Sequence, residues 1–194
     1  MEKLVLATNN AHKVHEIKRM LQGSAFAEVV TMKEAGLDVE IEETGTTFEE
    51  NSLLKASVVC KLTGCPALAD DSGLCVKALN GAPGVYSARY AGEEHDDNKN
   101  IDKLLHNLQG VSDRSAEFVT VLSVVYPNGR HVVAVGKTEG RITEKRYGNG
   151  GFGYDPVFYS NDLHKTFGEA SEDEKNAVSH RGRALQNLKN ILTK

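Results

Sequence analysis

The stretch Leu4-Val5-Leu6-Ala7, followed by Thr8-Asn9-Asn10, decides how the chain begins to fold. A short continuous apolar run is typical of a strand that is buried on both faces of a sheet. Threonine and asparagine favour the position that caps a helix, and Val14, Ile17 and Leu21 then recur at helical spacing. The sequence therefore predicts a buried strand, a polar turn and a helix, in that order.

The same alternation returns further along the chain. A second helix is predicted to begin near Thr46, because Thr46 and Glu49 have the spacing of a capping box, and to end at Gly64-Cys65-Pro66. Ala67-Leu68-Ala69 is predicted to be another buried strand that ends in Asp70-Asp71. A third helix is predicted near residues 99–109.

From residue 118 onward the pattern changes to long extended runs rich in valine. Residues 118–126 and 131–135 flank Pro127-Asn128-Gly129, a strong hairpin signal, and the hairpin is predicted to extend to about Thr143. Strands that alternate with helices and then give way to antiparallel strands indicate an α/β protein with a mixed central sheet and flanking helices. We expect one domain, over residues 1–194.

Composition excludes several classes of protein. A chain of 194 residues with 40% hydrophobic residues can form a sizeable core, and its formal net charge of −4 argues against a nucleic-acid binder. The chain has no apolar run of the roughly 18 residues that a membrane helix needs, and its start does not resemble a signal peptide. Three cysteines without CxxC spacing indicate neither a disulfide framework nor a zinc site. We expect a soluble, cytoplasmic protein.

The first candidate site is Thr8-Asn9-Asn10-Ala11-His12-Lys13. In open α/β sheets, ligands bind at the carboxyl ends of strands beside helix N-termini, where free N–H groups and the helix dipole favour phosphate. Lys13 would add a positive charge there. An ordinary capped helix with a surface lysine is the alternative interpretation.

The second candidate is Asp70-Asp71, because two adjacent carboxylates follow an almost uncharged strand. Their oxygens suit Mg²⁺, which usually bridges to substrate phosphates, and one carboxylate can instead act as a general base toward water. Strand pleating points neighbouring side chains in opposite directions, so only one of the two is expected to reach a metal. A turn before Ser72-Gly73 is the alternative.

Further charges surround the second predicted helix. Glu40-Ile41-Glu42-Glu43-Thr44-Gly45 supplies acids before it, with a solvated acidic loop as the alternative. Lys55 is the only charged residue between Asn51 and Cys60, and it shares a helix face with Asn51. This lysine either extends to water or pairs with a phosphate.

Gly148-Asn149-Gly150-Gly151-Phe152-Gly153 matches the GxGxxG pattern of dinucleotide-binding proteins. That motif requires a helix to open within it, whereas Tyr154-Asp155-Pro156-Val157-Phe158 is predicted to be extended, so we reject NAD binding. The glycines are interpreted as allowing the loop to approach a ligand closely, with Phe152 as a stacking surface.

The last candidate cluster is basic. Ser171 and Glu174 form a capping box, which predicts one final helix, and Lys175, His180 and Arg181 lie early in it. Positive charges near a helix N-terminus oppose the helix dipole. Either they serve a ligand, or they form a solvated face.

Taken together, these motifs resemble the inosine/xanthosine triphosphate pyrophosphatase family, which removes deaminated purine nucleotides from the nucleotide pool. The resemblance covers nearly the whole chain and depends on six segments in order. They are residues 8–13, 43–45 with 48–51, 69–74, 84–90, 151–156 and 179–181. One departure is visible, because Asn9 stands where the family commonly has glycine. Asparagine tolerates similar backbone conformations and can donate hydrogen bonds.

The resemblance implies Mg²⁺-dependent hydrolysis of a nucleoside triphosphate to the monophosphate and pyrophosphate, in a two-lobed α/β fold around a substrate cleft. Glu43 and Asp71 would hold the metal, and Asp71 would also be the acid–base residue. The residues implied to bind substrate are Thr8, Asn9, Asn10, Ala11, His12, Lys13, Lys55, Ser72, Phe152, Gly153, Tyr154, Asp155, Lys175, His180 and Arg181. Among these, residues 8–13 and Lys55 would bind the triphosphate, and Phe152 would stack on the purine. The edge of the base would be bound by Lys175, His180 and Arg181.

The family is typically dimeric, so the resemblance also implies a homodimer with a small-molecule nucleotide as its substrate and neither nucleic acid nor membrane as a partner. Two alternatives to the implied function stay open. One is a related pyrophosphatase that acts on other modified nucleotides. The other is a non-catalytic nucleotide sensor, against which the acidic pair argues, since a binder of polyanions gains little from carboxylates without a metal.

Overall fold

The computed structural model describes residues 2–21, 26–92 and 95–193. Its strands form a sheet with the order β2-β1-β3-β4-β5-β6-β7. Strand β1 pairs in parallel with β2 and β3, whereas β6 pairs antiparallel with β5 and β7. The predicted mixed sheet is therefore confirmed. The strands are β1 Glu2–Leu6, β2 Phe26–Thr31, β3 Ala67–Val76, β4 Ser115–Val125, β5 His131–Ile142, β6 Phe158–Ser160 and β7 Lys165–Thr166.

Five helices accompany the sheet within the described residues: α1 Ala11–Met20, α2 Phe48–Thr63, α3 Asp97–Asn107, α4 Glu172–Val178 and α5 His180–Leu192. Short 3₁₀ helices lie at Lys77–Leu79, Gly84–Arg89 and Asp155–Val157. In the part of the chain that the structure describes, no helix combines the length and the apolar character needed to cross a membrane.

The chain divides into two compact units. The first contains Met1–Asp71, Thr120–Gly136 and Gly182–Lys194, and the second contains Ser72–Val119 and Lys137–Arg181. The predicted single functional domain and its substrate cleft stay predictions.

In the first unit, strand pleating separates two apolar faces. Leu4, Leu6 and Leu68 belong to one core cluster, together with Ile17 and Leu21 from the α1 side. The alternate residues face the other way, where a second cluster joins β1 and β3 to α2 and contains Val5, Ala7, Ala67, Ala69, Ala56 and Val59. The sheet is thus buried on both faces here, as the continuous apolar runs predict.

The second unit has its own aromatic core. Phe118 packs against Phe158 with ring centroids 4.6 Å apart, and Phe167 lies 5.1 Å from Phe158. Leu74 and Leu104 complete this cluster from β3 and α3. The core fixes the strands and helices from which the polar residues of this unit project.

Several predicted boundaries were wrong. The capping box of α2 uses Thr47 and Glu50 rather than Thr46 and Glu49, one residue later than predicted. The third helix spans Asp97–Asn107 rather than 99–109. Strand β3 does not end in Asp70-Asp71 but continues to Val76, so no aspartate turn forms there. Strand β2 had not been predicted.

The predicted final helix is in fact two helices. The capping box of Ser171 and Glu174 opens α4 as predicted, but Ser179 adopts an extended conformation, with φ −68° and ψ 155°, and α5 begins at His180. The Thr138 hydroxyl donates a hydrogen bond to the carbonyl oxygen of Val178 at 2.6 Å, which satisfies a carbonyl that the helix end leaves without a helical partner. A contact from β5, which is remote in sequence, therefore stabilises the break between α4 and α5.

Replacing Thr47 by alanine tests the corrected capping box. The Thr47 hydroxyl accepts a hydrogen bond from the Glu50 amide at 3.1 Å, so Thr47→Ala is expected to lower the free energy of unfolding by about 1 kcal/mol. Thr46→Ala, which leaves this bond in place, is the matched control with a smaller expected loss. Urea unfolding followed by circular dichroism measures both, and an equal loss in the two variants would contradict the assignment.

Candidate functional site

The first polar cluster lies in the first unit, and we call it the acid–lysine cluster: Lys13, Glu43, Lys55, Asp70 and Asp71. Strand β1 pairs with β3 at Val5–Ala67 and Leu6–Leu68. The two aspartates therefore follow the paired segment, beyond the carboxyl end of β1. This is where open α/β sheets bind their ligands.

The pleat of β3 sends the two aspartates to opposite faces, as predicted. Asp70 follows the alternation of Leu68 toward α1, and its carboxylate pairs with Lys13 at 2.9 Å. Asp71 follows Ala69 toward α2, where its Oδ2 accepts a hydrogen bond from Nδ2 of Asn51 at 3.0 Å. Two neighbours in sequence thus acquire different partners.

Lys55 is buried and contacts acids on two segments. Its ammonium group forms an ion pair with Glu43 and donates a hydrogen bond to the carbonyl oxygen of Asp70 at 2.7 Å. Burial by itself lowers the pKa of Lys55, but the charges of Asp70, Asp71 and Glu43 outweigh it and raise the pKa above its ordinary value. Lys55 is therefore a fixed cation inside the cluster.

Asn51 connects the acidic loop to the aspartates, a role that its position on the Lys55 face did not reveal. Its Oδ1 accepts a hydrogen bond from the Gly45 amide at 2.8 Å, while its Nδ2 donates to Asp71. A Cβ atom at Gly45 would lie 2.6 Å from that Oδ1, so a larger residue there would displace the amide. Glycine at position 45 thus allows the loop that carries Glu43 to approach the aspartates.

The carboxyl group of Asp71 has a raised pKa of about 6. Burial is the main cause of this rise, and the neighbouring charge of Glu43 contributes to it. Lys55, the hydrogen bond from Asn51 and Lys13 act in the opposite direction. A carboxyl group with a pKa near neutrality can both accept and release a proton at physiological pH.

Residues 8–10 form the polar turn that precedes α1, as predicted, and residues 11–13 begin the helix. The Asn10 side chain caps the helix, accepting hydrogen bonds from the amides of His12 at 3.0 Å and Lys13 at 3.2 Å. Thr8 accepts one from the Asn10 amide at 3.2 Å. Residues 9–12 are exposed. An anion at this turn would therefore compete with, or replace, the Asn10 side chain at the same amides.

The second polar cluster lies in the second unit, and we call it the aromatic–basic cluster: Ser72, Phe152, Asp155, Lys175, His180 and Arg181. The Lys175 ammonium lies 4.6 Å from the centre of the Phe152 ring and the Arg181 guanidinium 5.7 Å from it. The Lys175 ammonium also pairs with Asp155 at 2.7 Å. Residues 152, 155, 175 and 181 therefore lie together, and their assignment to the substrate stays a prediction.

The loop before Phe152 requires its glycines. Gly151 has φ +73°, and a Cβ atom there would lie 2.0 Å from Oδ2 of Asp155. That oxygen accepts a hydrogen bond from the Phe152 amide at 2.8 Å. The prediction that residues 154–158 are extended was wrong, because a 3₁₀ helix at Asp155–Val157 precedes strand β6. Neither element is the helix that the dinucleotide motif requires.

Several of the predicted substrate-binding residues are deeply buried, among them Tyr154, His180 and Arg181. The Tyr154 hydroxyl donates a hydrogen bond to the carbonyl oxygen of Ser87 at 2.7 Å, and its ring belongs to the aromatic core. His180 stacks on Phe118 with ring centroids 4.6 Å apart. Arg181 is 1% exposed, and its guanidinium donates to the Ser72 hydroxyl at 3.4 Å. For Tyr154 the structure shows an anchoring contact, which its place in the motif did not reveal.

The fold and the two clusters define an α/β protein with a polar site at the carboxyl end of parallel strands. The family model described as the Ham1 family matches residues 4–191. The chain belongs to the Ham1 family.

Solved structures resemble the chain over its whole length. A HAM1 protein from Coxiella burnetii superposes with a TM-score of 0.92 at 43% identity, covering 100% of this chain and 99% of that one. The Staphylococcus aureus Ham1 protein gives 0.91 at 43% identity, covering 99% and 98%.

Curated relatives carry a functional name. A Clostridium perfringens protein named dITP/XTP pyrophosphatase is 50% identical, covering 99% of this chain and 98% of its own length. A Staphylococcus epidermidis protein of the same name is 47% identical, covering 99% and 97%. These relatives agree with the resemblance drawn from the motifs.

The pKa of Asp71 predicts a pH-dependent stability. The pKa of Asp71 in the folded protein, about 6, lies above its ordinary value of 3.8. As the pH rises, Asp71 therefore loses its proton at a lower pH in the unfolded chain than in the folded protein. The free energy of unfolding then falls between pH 3.8 and about pH 6. In the presence of EDTA, Asp71→Asn is expected to abolish this pH-dependent loss of stability. It is expected to stabilise the protein at pH 8, by on the order of 2–3 kcal/mol, and to change stability little at pH 4.5.

Thermal unfolding of wild type and variant at the two pH values measures this difference. Asp38→Asn makes the same chemical change at an exposed position and is the control. An effect of Asp71→Asn that is equal at pH 4.5 and pH 8 would show that Asp71 ionises normally in the folded state.

Proposed function

We propose that this chain hydrolyses non-standard purine nucleoside triphosphates, ITP, dITP and XTP, to the monophosphate and pyrophosphate, and so cleanses the nucleotide pool. The observation that carries the proposal is the acid–lysine cluster, in which two cations and a carboxyl group with a pKa near neutrality meet beyond the end of β1. Membership of the Ham1 family and the names of the relatives support the same reaction.

The triphosphate is assigned to residues 8–13 and Lys55. Acids hold Lys13 and Lys55 in place, and phosphate oxygens would become additional partners of their ammonium groups. The amides of His12 and Lys13 add donors at the start of α1. Phosphoryl transfer needs positioning and charge neutralisation, which these groups provide.

Glu43 and Asp71 offer carboxylate oxygens, which are suitable ligands for Mg²⁺. Their charges repel each other, which contributes to the raised pKa of Asp71, and a cation between carboxylates relieves such repulsion. Within the described residues, no set of three or more His, Cys, Asp and Glu side chains forms a metal cage. Mg²⁺ usually takes one or two carboxylates and completes its shell with water and phosphate oxygens. When bound, Mg²⁺ would neutralise charge on the triphosphate.

Asp71 is assigned the proton transfer. Its carboxylate would accept a proton from the water that attacks the α-phosphorus, while the bond from that phosphorus to the bridging oxygen breaks and pyrophosphate leaves. The hydrogen bond from Asn51 orients the carboxylate, and burial keeps its pKa near neutrality.

The aromatic–basic cluster is assigned the base. Phe152 would stack on the purine, and Lys175, His180 and Arg181 would offer donors to its edge. Hypoxanthine and xanthine present an oxygen at C6, whereas adenine presents an amino donor, which leaves such donors unpaired. A buried hydrogen-bond mismatch of this kind discriminates by roughly 10⁴–10⁵.

We further propose a homodimer in the cytoplasm, as the family resemblance implies. Light scattering of the purified chain at micromolar concentration measures the assembly directly. A mass of about twice the 21.1 kDa of one chain supports the dimer, and a monomer mass contradicts it.

The deciding assay is pyrophosphate release from ITP, XTP, ATP and GTP, each with Mg²⁺ and with EDTA. Metal-dependent release confined largely to ITP and XTP is expected. Equal release from ATP would support the proposed reaction but refute the assignment of residues to the edge of the base. Tight binding of ITP without release would favour a nucleotide sensor, and release only from other modified nucleotides would favour a related pyrophosphatase.

Asp71→Asn is expected to reduce kcat by about 10²–10⁴, because the variant has lost its general base. The circular dichroism spectrum should be unchanged, since the fold does not require the charge. Asp38→Asn is the control at an exposed carboxylate. Turnover within threefold of wild type would remove Asp71 from the acid–base role.

Phe152→Ala is expected to raise KM for ITP about 10- to 100-fold, because base–aromatic stacking contributes about 1–3 kcal/mol. The effect on kcat should be much smaller, since the phosphate contacts are intact. Tyr159→Ala removes a half-buried aromatic ring on β6, outside the cluster, and controls for loss of a ring. An unchanged KM in Phe152→Ala would refute stacking.

A further inference from the structure

The loop that carries Phe152, residues 148–154, is attached to helix α3. The Gly153 amide donates a hydrogen bond to Oδ2 of Asp97 at 2.8 Å. Just before the loop, the Arg146 guanidinium pairs with Asp102 at 2.8 Å and donates to the carbonyl oxygen of Asn98 at 3.1 Å. All three acceptors belong to the first half of α3.

Two carboxylates therefore hold the backbone on either side of the Phe152 ring. Asp155 accepts from the Phe152 amide and Asp97 from the next amide, both at 2.8 Å. The flanking residues Gly151 and Gly153 have φ +73° and +60°, a region that glycine enters without steric cost. Because glycine leaves the backbone free to adopt many conformations, these two bonds contribute directly to where the ring lies.

Asp97 is available for this task because another residue caps the helix. Asp96 is the N-cap of α3, and its side chain accepts from the amides of Asn98 and Lys99. Asp97 follows it as the first helical residue and is exposed, whereas Asp155 is 2% exposed and paired with Lys175. Removing the Asp97 carboxylate leaves both the cap and the buried ion pair in place.

We propose that Asp97 is a positioning residue for base recognition: by holding the Gly153 amide, it sets the Phe152 ring for stacking on the purine. This inference depends on the proposed function, since it concerns the same substrate. Asp97 itself contacts backbone, and it acts through the ring of Phe152. Its loss should therefore weaken binding of the base and spare the groups that bind phosphate.

The kinetic test compares Asp97→Ala and Asp97→Asn with wild type. Asp97→Ala is expected to raise KM for ITP about three- to tenfold with kcat within twofold, and Asp97→Asn should restore KM because its amide oxygen can still accept the bond. Glu144→Ala removes the same charge at an exposed position and should behave as wild type. An Asp97→Ala enzyme with wild-type KM would overturn the inference, as would an Asp97→Asn enzyme as impaired as Asp97→Ala.

Two further measurements do not require turnover. Amide hydrogen exchange in residues 148–154 should become faster in Asp97→Ala and stay at the wild-type rate in Asp97→Asn and Glu144→Ala. Affinity for IMP should fall by the same three- to tenfold in Asp97→Ala, while affinity for inorganic tripolyphosphate should be unchanged. Unchanged exchange and IMP affinity in Asp97→Ala would overturn the inference, and so would a wild-type protein that does not bind IMP. Wild type that binds IMP but releases no pyrophosphate from ITP would instead refute the proposed reaction alone.

Discussion

The structure of the first unit depends on burying Asp70 beside two lysines, Lys13 and Lys55. Asp70 is fully buried and Asp71 is 5% exposed, and an isolated carboxylate in such a place is strongly unfavourable. Lys13 compensates Asp70 directly, and Lys55 reaches both Glu43 and the backbone of Asp70. Helices α1 and α2 must therefore pack on opposite faces of β3 in one register, the register that places each lysine beside its acid.

The environment separates the two aspartates into different roles. Asp70 faces α1, and a short ion pair with Lys13 balances its charge, which suits a structural anchor. Asp71 faces α2, where its direct partner is the neutral amide of Asn51, and burial raises its pKa to about 6. Acid–base roles in enzymes are usually assigned to pairs of carboxyl groups whose surroundings shift their pKa values apart. The pleat of one strand is sufficient to produce that difference.

Local signals in the sequence predicted much of this arrangement. The apolar run of residues 4–7 gave β1, and the alternation of a strand correctly sent Asp70 and Asp71 to opposite faces. The failures have a common physical cause. The continuation of β3 past Asp71, the break at Ser179 and the anchoring of Tyr154 on Ser87 all depend on partners distant in sequence. Propensity and spacing contain no information about such partners.

The conformation of the glycine-rich loop, residues 148–154, also depends on a partner distant in sequence. This dependence bears on the proposed recognition of the base. The sequence of the loop matches a dinucleotide motif, yet its backbone is bound by two carboxylates, one following it and one 56 residues before Gly153. The buried Asp155 also holds Lys175 against the Phe152 ring, so ring and cation are fixed by one group. A ring and a cation that share one anchor keep a constant separation, as the proposed discrimination between purines by a single exocyclic group requires.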